Sequence, residues 1–437
     1  MPLPRRAAWL PLFSSLFACA LAIAAPADPS SVPLYVGKPL AGARVMFGDF
    51  DVQKPLDGAS GRMDDDAKQP NAVVTLDRSA KDGAGDALRL GWKDSWFSTV
   101  RVETAALDLR PYLARGVVAF DLKVNELSKG GLAFRIDCGK DCERKVPYVV
   151  AARAAQGKGW QPLRYALGCF HRDGDDVSAV TQAFALDGTG AGDVEIANLR
   201  IEADGQPNLR CPDYRTVSFT PEPLNESWSL DWWMPRHEDK LAEIARRRAA
   251  GEPTGLVFIG DSITHNWEKE QQPLWKQLYG KYNPLNLGYG GDRTENVLWR
   301  LQHGEVDGIA PKVAVLMIGT NNNGLRHDDP AVTVAGIRHV LQELRTRLPA
   351  TRILLLAIFP RGEGADDGLR RVNEQVNAML PRLADGKRVV FLDIGKAFVA
   401  PDGTLSRSIM PDLLHPNAQG YRIWAAAMQP TLDRLLR

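Results

Sequence analysis

Between residues 256 and 392 the chain carries five compact apolar runs, at 256–259, 285–287, 313–318, 353–359 and 389–392, separated by segments with helical periodicity. A strand with one wet face alternates polar and apolar residues; runs that are apolar throughout suit strands covered on both faces. The helical spacing is clearest at Ile337, Val340, Leu341, Leu344 and Leu348, and again at Tyr421, Trp424, Ala425, Met428, Leu432 and Leu435. Strand–helix alternation of this kind predicts an α/β fold: a three-layer parallel sheet of about five strands with helices on both sides. In such a sheet the ligand site lies beyond the carboxyl ends of the strands.

The first half follows a different grammar. Short apolar or alternating segments at 87–91, 116–124, 132–136, 161–167 and 194–201 are separated by Gly, Asp and Pro turns, with no long amphipathic helix between them. This spacing predicts an all-β sandwich. Trp92, Trp96, Phe97, Trp160 and Phe170 are scattered through it; we expect most in the core and a minority on a face able to meet sugar. The Asp64-Asp65-Asp66 run reads as a solvated loop rather than a calcium site, since no EF-hand spacing surrounds it. A Pro-rich stretch ending in Trp228, Trp232 and Trp233 follows. At 437 residues two domains are expected: a leader at 1–25, a sandwich at 33–205, a linker at 206–235 and the α/β domain at 236–437.

The formal net charge is +1 and no long basic run occurs, so neither nucleic acid nor an anionic membrane surface is an expected partner. Arg5 and Arg6 precede an apolar run at 7–24 that ends in Ala22, Ala24 and Ala25, the pattern of a secretory signal peptide cleaved near residues 24–27. An uncleaved anchor and a lipid on Cys19 are the lesser readings. No other stretch is long and uncharged enough to span a bilayer, so no integral membrane contact is expected. Setting Cys19 aside, Cys138, Cys142, Cys169 and Cys211 form an even set in an exported chain. Three disulfide connectivities are open; we favour Cys138–Cys142 across a tight turn and Cys169–Cys211. A zinc site competes, but no second pair of ligands follows at the right spacing.

Four signals sit at strand ends of the second half. Ser262 follows the first run and opens a helical stretch, where a hydroxyl is exposed, although a Ser there can simply cap the helix. Gly291 lies in a Gly-Gly pair after the second run, and its N–H is a candidate oxyanion donor as well as an ordinary turn glycine. Asn321 follows the third run and offers a side-chain amide, in a cluster with Asn322 and Asn323 that also reads as a turn. His415 lies three residues after Asp412 before the closing helix, a spacing that lets the carboxylate fix the imidazole. Together these supply a nucleophile (Ser262), a base (His415), an orienting acid (Asp412) and oxyanion donors (the Ser262 and Gly291 N–H groups and the Asn321 amide). Asp261, His265, Trp267, Arg293 and Asn322 flank these positions and are candidates for substrate contact.

Gly260-Asp261-Ser262-Ile263-Thr264, the block at 286–301, Gly319-Thr320-Asn321-Asn322 and the Asp412/His415 pair, taken in order, resemble the blocks of the SGNH (GDSL-type) hydrolase superfamily. The wording of the second block, with Pro360-Arg361-Gly362-Glu363, is similar to the branch containing the platelet-activating-factor acetylhydrolase catalytic subunits. The resemblance implies a flavodoxin-like sheet, a serine esterase mechanism and no metal or organic cofactor. More loosely, Asp137-Cys138-Gly139-Lys140-Asp141-Cys142, Trp160-Gln161-Pro162-Leu163 and Leu167-Gly168-Cys169-Phe170 resemble the galactose-binding-like, jelly-roll sandwich of secreted bacterial exo-β-glucanases. The two resemblances imply a secreted esterase acting on an acylated carbohydrate or another small ester, with O-acetyl groups of a poly- or oligosaccharide placed first. A phospholipid or lysophospholipid acyl hydrolase is the alternative, and a glycan-binding protein with weak esterase activity the third reading.

Overall fold

Two long strands organise the N-terminal half, Ala87–Leu107 and Val180–Glu202, which run antiparallel to each other. The computed structural model describes residues 31–49, 52–66, 69–139 and 142–437; the expected leader and Cys19 lie outside them. Register shifts near Gly188, Gly190 and Gly192 bend the second long strand, so that its start pairs with Leu132–Asp137 and its end with Val117–Lys129. Bulges of this kind turn one strand through both layers of a sandwich. Gly192 is needed at the bend, because a Cβ there would fall 2.4 Å from the Trp92 ring. Between the layers Phe120, Phe134, Phe184 and Tyr165 make tilted and edge contacts, with Phe134 centred 4.7 Å from Phe120.

The aromatics expected in this half divide. Trp92 and Phe170 are buried, Trp96 is exposed, and Trp160 lies under the Lys81 and Lys123 ammonium groups. The acidic run expected as a loop is instead the end of strand Ser60–Asp66, paired with Gln69–Ser79. Within the run Asp64 is exposed and pairs with Arg62. Cys138 is joined to Cys142 and Cys169 to Cys211, with Cα–Cα distances of 5.2 and 5.6 Å.

In the second half five parallel strands, β1 (Leu256–Gly260), β2 (Leu285–Gly288), β3 (Val313–Met317), β4 (Arg352–Leu356) and β5 (Val389–Leu392), lie in the order β2-β1-β3-β4-β5. Alternate residues of each strand feed opposite cores. Val257 and Ile259 pack with α1 (Trp233–Ala249), α3 (Thr294–Gln302), α4 (Pro330–Arg347) and α5 (Gly368–Met379). Leu256 and Phe258 pack with α2 (Gln272–Tyr279) and α6 (Ala418–Leu436). This is why the runs are apolar throughout: neither face of the sheet meets water. Gly260 stands level with Gly288 on one side and Met317 on the other, so three loops leave the sheet at one height.

The segment at 206–235, expected as a linker, packs closely against the α/β half. Buried Ser218 donates to Asp328 (2.7 Å) and accepts at its carbonyl from Thr294 (2.6 Å), and Phe219 stacks on His339. Helix α1 already begins at Trp233. From the sandwich, Arg172 donates to the carbonyls of Arg326 and His327, and Arg153 pairs with Asp231.

A cross-link stabilises by restricting the unfolded chain in proportion to the logarithm of the loop it closes. The 42-residue separation of Cys169 and Cys211 therefore corresponds to about 4 kcal/mol, and the four-residue separation of Cys138 and Cys142 to about 2 kcal/mol. Denaturant unfolding of the two double Cys→Ser variants should rank them in that order; a greater loss from the short bridge would contradict the loop argument.

Candidate active site

Ser262 begins a short helical turn, Ser262–His265, directly after β1, and Asp261 caps that turn by accepting from the Ile263 N–H at 2.9 Å. Far along the chain, Asp412 lies in the loop before α6, whose N-cap, Asn417, accepts from Gln419 and Gly420. The loop is tight. Leu413 has φ +59, and its carbonyl accepts from Gly362 at 2.9 Å. Asp412 Oδ1 accepts from the His415 N–H at 2.7 Å, and Oδ2 lies 2.5 Å from the ring Nδ1. His415 Nε2 is 2.8 Å from Ser262 Oγ. The structure thus brings the three residues into one hydrogen-bonded chain across 153 positions of sequence. Burial opposes the charge on Asp412, but bonds from the His415 ring, the His415 N–H and the Leu414 N–H hold its carboxyl below the usual range.

Gly291 has φ +76, and a Cβ there would fall 1.9 Å from the Trp228 ring, so glycine is required twice over. The neighbouring Asp292 N–H is used by the Tyr289 carbonyl, whereas among the described residues the Gly291 N–H has no acceptor. Asn321 Nδ2 donates one hydrogen to the Asp292 carbonyl at 3.0 Å and keeps its second. One peptide therefore links the loops after β2 and β3.

Behind that peptide lies a fully buried polar network. Asp292 accepts from Trp233 (2.6 Å) and from Arg300 (2.9 Å); Arg300 also pairs with Glu305 and donates to the Leu287 carbonyl. Tyr289 donates to Glu305, which His237 also approaches at 3.4 Å. His237 therefore has a carboxylate partner that its sequence surroundings did not suggest. Burial works against the charge of Arg300, but Glu305 and Asp292 outweigh it and hold the guanidinium above its usual pKa.

The flanking candidates separate. His265 stays at the site: its Nδ1 accepts from the Gly290 N–H (3.3 Å), and burial, with Arg236, Lys269 and Lys240 nearby, pushes it down to about 3, so it is neutral. Trp267 is fully buried among Trp275, Tyr279, Tyr421 and Trp424, in the core below the sheet rather than at the pocket mouth. Arg293 is buried between Glu226 and Glu295, and Asn322 bridges Ser218, Thr294 and Asp328; both hold the 206–235 segment in place. Asn323, the third member of the asparagine cluster, is tied to Asn373 and Thr333. Sequence reasoning missed Arg361, which contacts Thr320 and feels Asp261 and Asp412, although Pro360-Arg361-Gly362-Glu363 stands out as a motif. It also missed Trp228 and Trp232, whose pattern in the connector is weak.

The human platelet-activating factor acetylhydrolase IB subunit alpha1 is 38% identical over 217 residues, which span 49% of this chain and 89% of that protein. The chain belongs to the GDSL-like lipase/acylhydrolase family. That family matches residues 258–423, and the rat alpha2 subunit is 39% identical over 196 residues, 44% of this chain and 79% of its own. Membership of the GDSL-like family accords with carboxylic ester hydrolase activity and with a parallel-sheet esterase fold. Residues 57–201 match the galactose-binding domain-like family. The extra C-terminal domain of exo-1,3/1,4-beta-glucanase from a Pseudoalteromonas species is similar at 13% identity and TM-score 0.34, over 42% of this chain and 99% of that one.

Burial pushes the Asp261 carboxyl up to about 6, against the pull of the Ile263 N–H and His415. A carboxyl whose folded pKa is raised is ionised at a cost, and that cost grows from its unfolded pKa of about 4 and is complete above its folded one. Asp261→Asn removes the cost and keeps an acceptor for Ile263. Its gain in Tm over the parent should therefore be larger at pH 8 than at pH 4.5; equal gains at both would place the carboxyl in the ordinary range.

Proposed function

We propose that the protein is a serine esterase that removes acetyl and similarly short acyl groups through an acyl-serine intermediate. The observation that carries this reading is the continuous chain from Asp412 through His415 to the Ser262 hydroxyl, with spacings of 2.5 and 2.8 Å. In the proposed reaction His415 Nε2 takes the Ser262 proton as Oγ attacks the ester carbonyl, and Asp412 fixes the ring and stabilises the imidazolium. The oxyanion is held by the Ser262 and Gly291 N–H groups and the free hydrogen of the Asn321 amide. His415 then protonates the leaving alcohol, and water releases the acid by the reverse sequence. Every step uses this chain's own side chains and backbone.

For the substrate, the relatives favour the acetylhydrolase reading over the carbohydrate ester placed first from sequence, since their names specify platelet-activating factor acetylhydrolase subunits. The carbohydrate reading draws on the galactose-binding domain-like match of the sandwich. Both agree on a short acyl group and differ in the alcohol. Two disulfides in the described residues fit an oxidising compartment, periplasmic or extracellular. No helix among the described residues is long and apolar enough to cross a membrane.

Ser262→Ala should abolish turnover of ethyl acetate while leaving circular dichroism unchanged; near-parental turnover would remove Ser262 from the mechanism. Asn321→Ala should lower kcat by about 10²–10³-fold, the usual loss for one oxyanion donor.

A further inference from the structure

Two tryptophans from the segment between the domains stand directly beside the proposed oxyanion donor. The benzo edge of Trp228 lies over Gly291, and that of Trp232 would sit 3.4 Å from a Cβ on Gly290. The two rings are near parallel, with centroids 6.4 Å apart and planes at 21°, and the His265 ring continues the series at 6.0 Å from Trp232. Trp228 is 47% exposed. With Trp232 and His265 it forms one contiguous aromatic face beside the proposed nucleophile, and a patch of that kind marks a binding surface where a single exposed side chain would not.

We infer that Trp228 and Trp232 form a subsite for the alcohol half of the substrate, and that the occupant is a neutral pyranose ring laid with its C–H face on the indole. The inference rests on the esterase reading above and names the substrate class it left open. Charge and shape together decide between occupants. The carboxylates around the shelf are each committed to a cation: Glu226 to Arg293 (2.9 Å), Asp231 to Arg153 (3.0 Å) and Glu268 to Arg236 (2.7 Å) and Lys240 (2.6 Å). A quaternary ammonium is held by aromatic faces that enclose it, and two near-parallel rings with centroids 6.4 Å apart form a shelf rather than a cage; a phosphate would find Arg153, Arg236 and Arg293 already paired. A pyranose needs no charged partner, and its apolar C–H face matches the flat indole surface.

The shelf is also braced from the sandwich. Ser227 lies 3.2 Å from where a Cβ on Gly131 would stand, and the Asp231–Arg153 pair joins the far side of the segment to the helical turn Val150–Ala155. The N-terminal domain therefore acts on specificity by holding these two rings at the site.

Calorimetric titration of the full chain with xylotriose and, separately, with phosphocholine tests the subsite without turnover. Xylotriose should bind; Trp228→Ala should weaken it about tenfold, the loss of one stacking contact, and Trp228→Phe should recover most of it. The ratio of kcat/KM for acetylated xylotriose to that for ethyl acetate should fall by a similar factor in Trp228→Ala and return in Trp228→Phe. No xylotriose binding, equal binding by parent and Trp228→Ala, or phosphocholine binding that Trp228→Ala removes would each overturn the assignment. Ser262-dependent hydrolysis of ethyl acetate without xylotriose binding would sink the subsite alone. Xylotriose binding by a protein inert towards every ester would sink the esterase reading and leave the shelf standing.

Discussion

A guanidinium with no access to water holds the strand-end loops in register. Arg300 is completely enclosed, and moving such a cation out of water costs several kcal/mol unless its surroundings return the loss. They do so through Asp292 on the loop after β2, Glu305 beyond α3, the Leu287 carbonyl within β2 and the Tyr289 ring face, 3.8 Å away. These partners belong to two pieces of backbone, the stretch 287–292 before α3 and Glu305 after it. None can shift without stranding a buried charge, so the loop that carries Gly291 has a single position. The Asp292 carbonyl then passes that position on to Asn321. The network adds little net stability by comparison with a well-packed apolar cluster; its effect is definition of place.

The same logic extends to the segment between the domains. Ser218, Glu222 and Glu226 are bound by Thr294, Asn296 and Arg293, neighbouring residues of the loop-and-helix unit that follows β2. A stretch with little regular structure beyond the turn Val217–Phe219 is thereby fixed by the α/β half, while Arg153 ties it to the sandwich and Arg172 joins the sandwich to the α/β half directly. The two halves are therefore coupled through the residues nearest the site.

Much of this was legible in the residues. The five apolar runs became the five parallel strands, because burial on both faces leaves an unambiguous pattern, and the short alternating segments became the antiparallel half. The meeting of Ser262, His415 and Asp412 was legible because each stands at a strand or helix end, where local pattern and position agree. Trp267, Arg293 and Asn322 were not: beside a motif, a polar or aromatic residue looks the same whether it faces a ligand or supports the loop. What decides is a partner from elsewhere, such as Trp424 for Trp267 or Ser218 for Asn322. For the same reason the connector read as slack, since its contacts reach about 70 to 110 residues ahead and leave no local period.

The hydroxyl at 262 and the imidazole at 415 are separated by most of the α/β half, and four of its five strands lie between them in sequence. A polypeptide growing from its amino end possesses the serine long before the imidazole to which it is hydrogen-bonded in the folded chain. An unassisted serine hydroxyl is a poor nucleophile at neutral pH. The Ser262–His415 hydrogen bond therefore forms only at closure of the sheet, and in the proposed mechanism the order of synthesis serves as a safety catch.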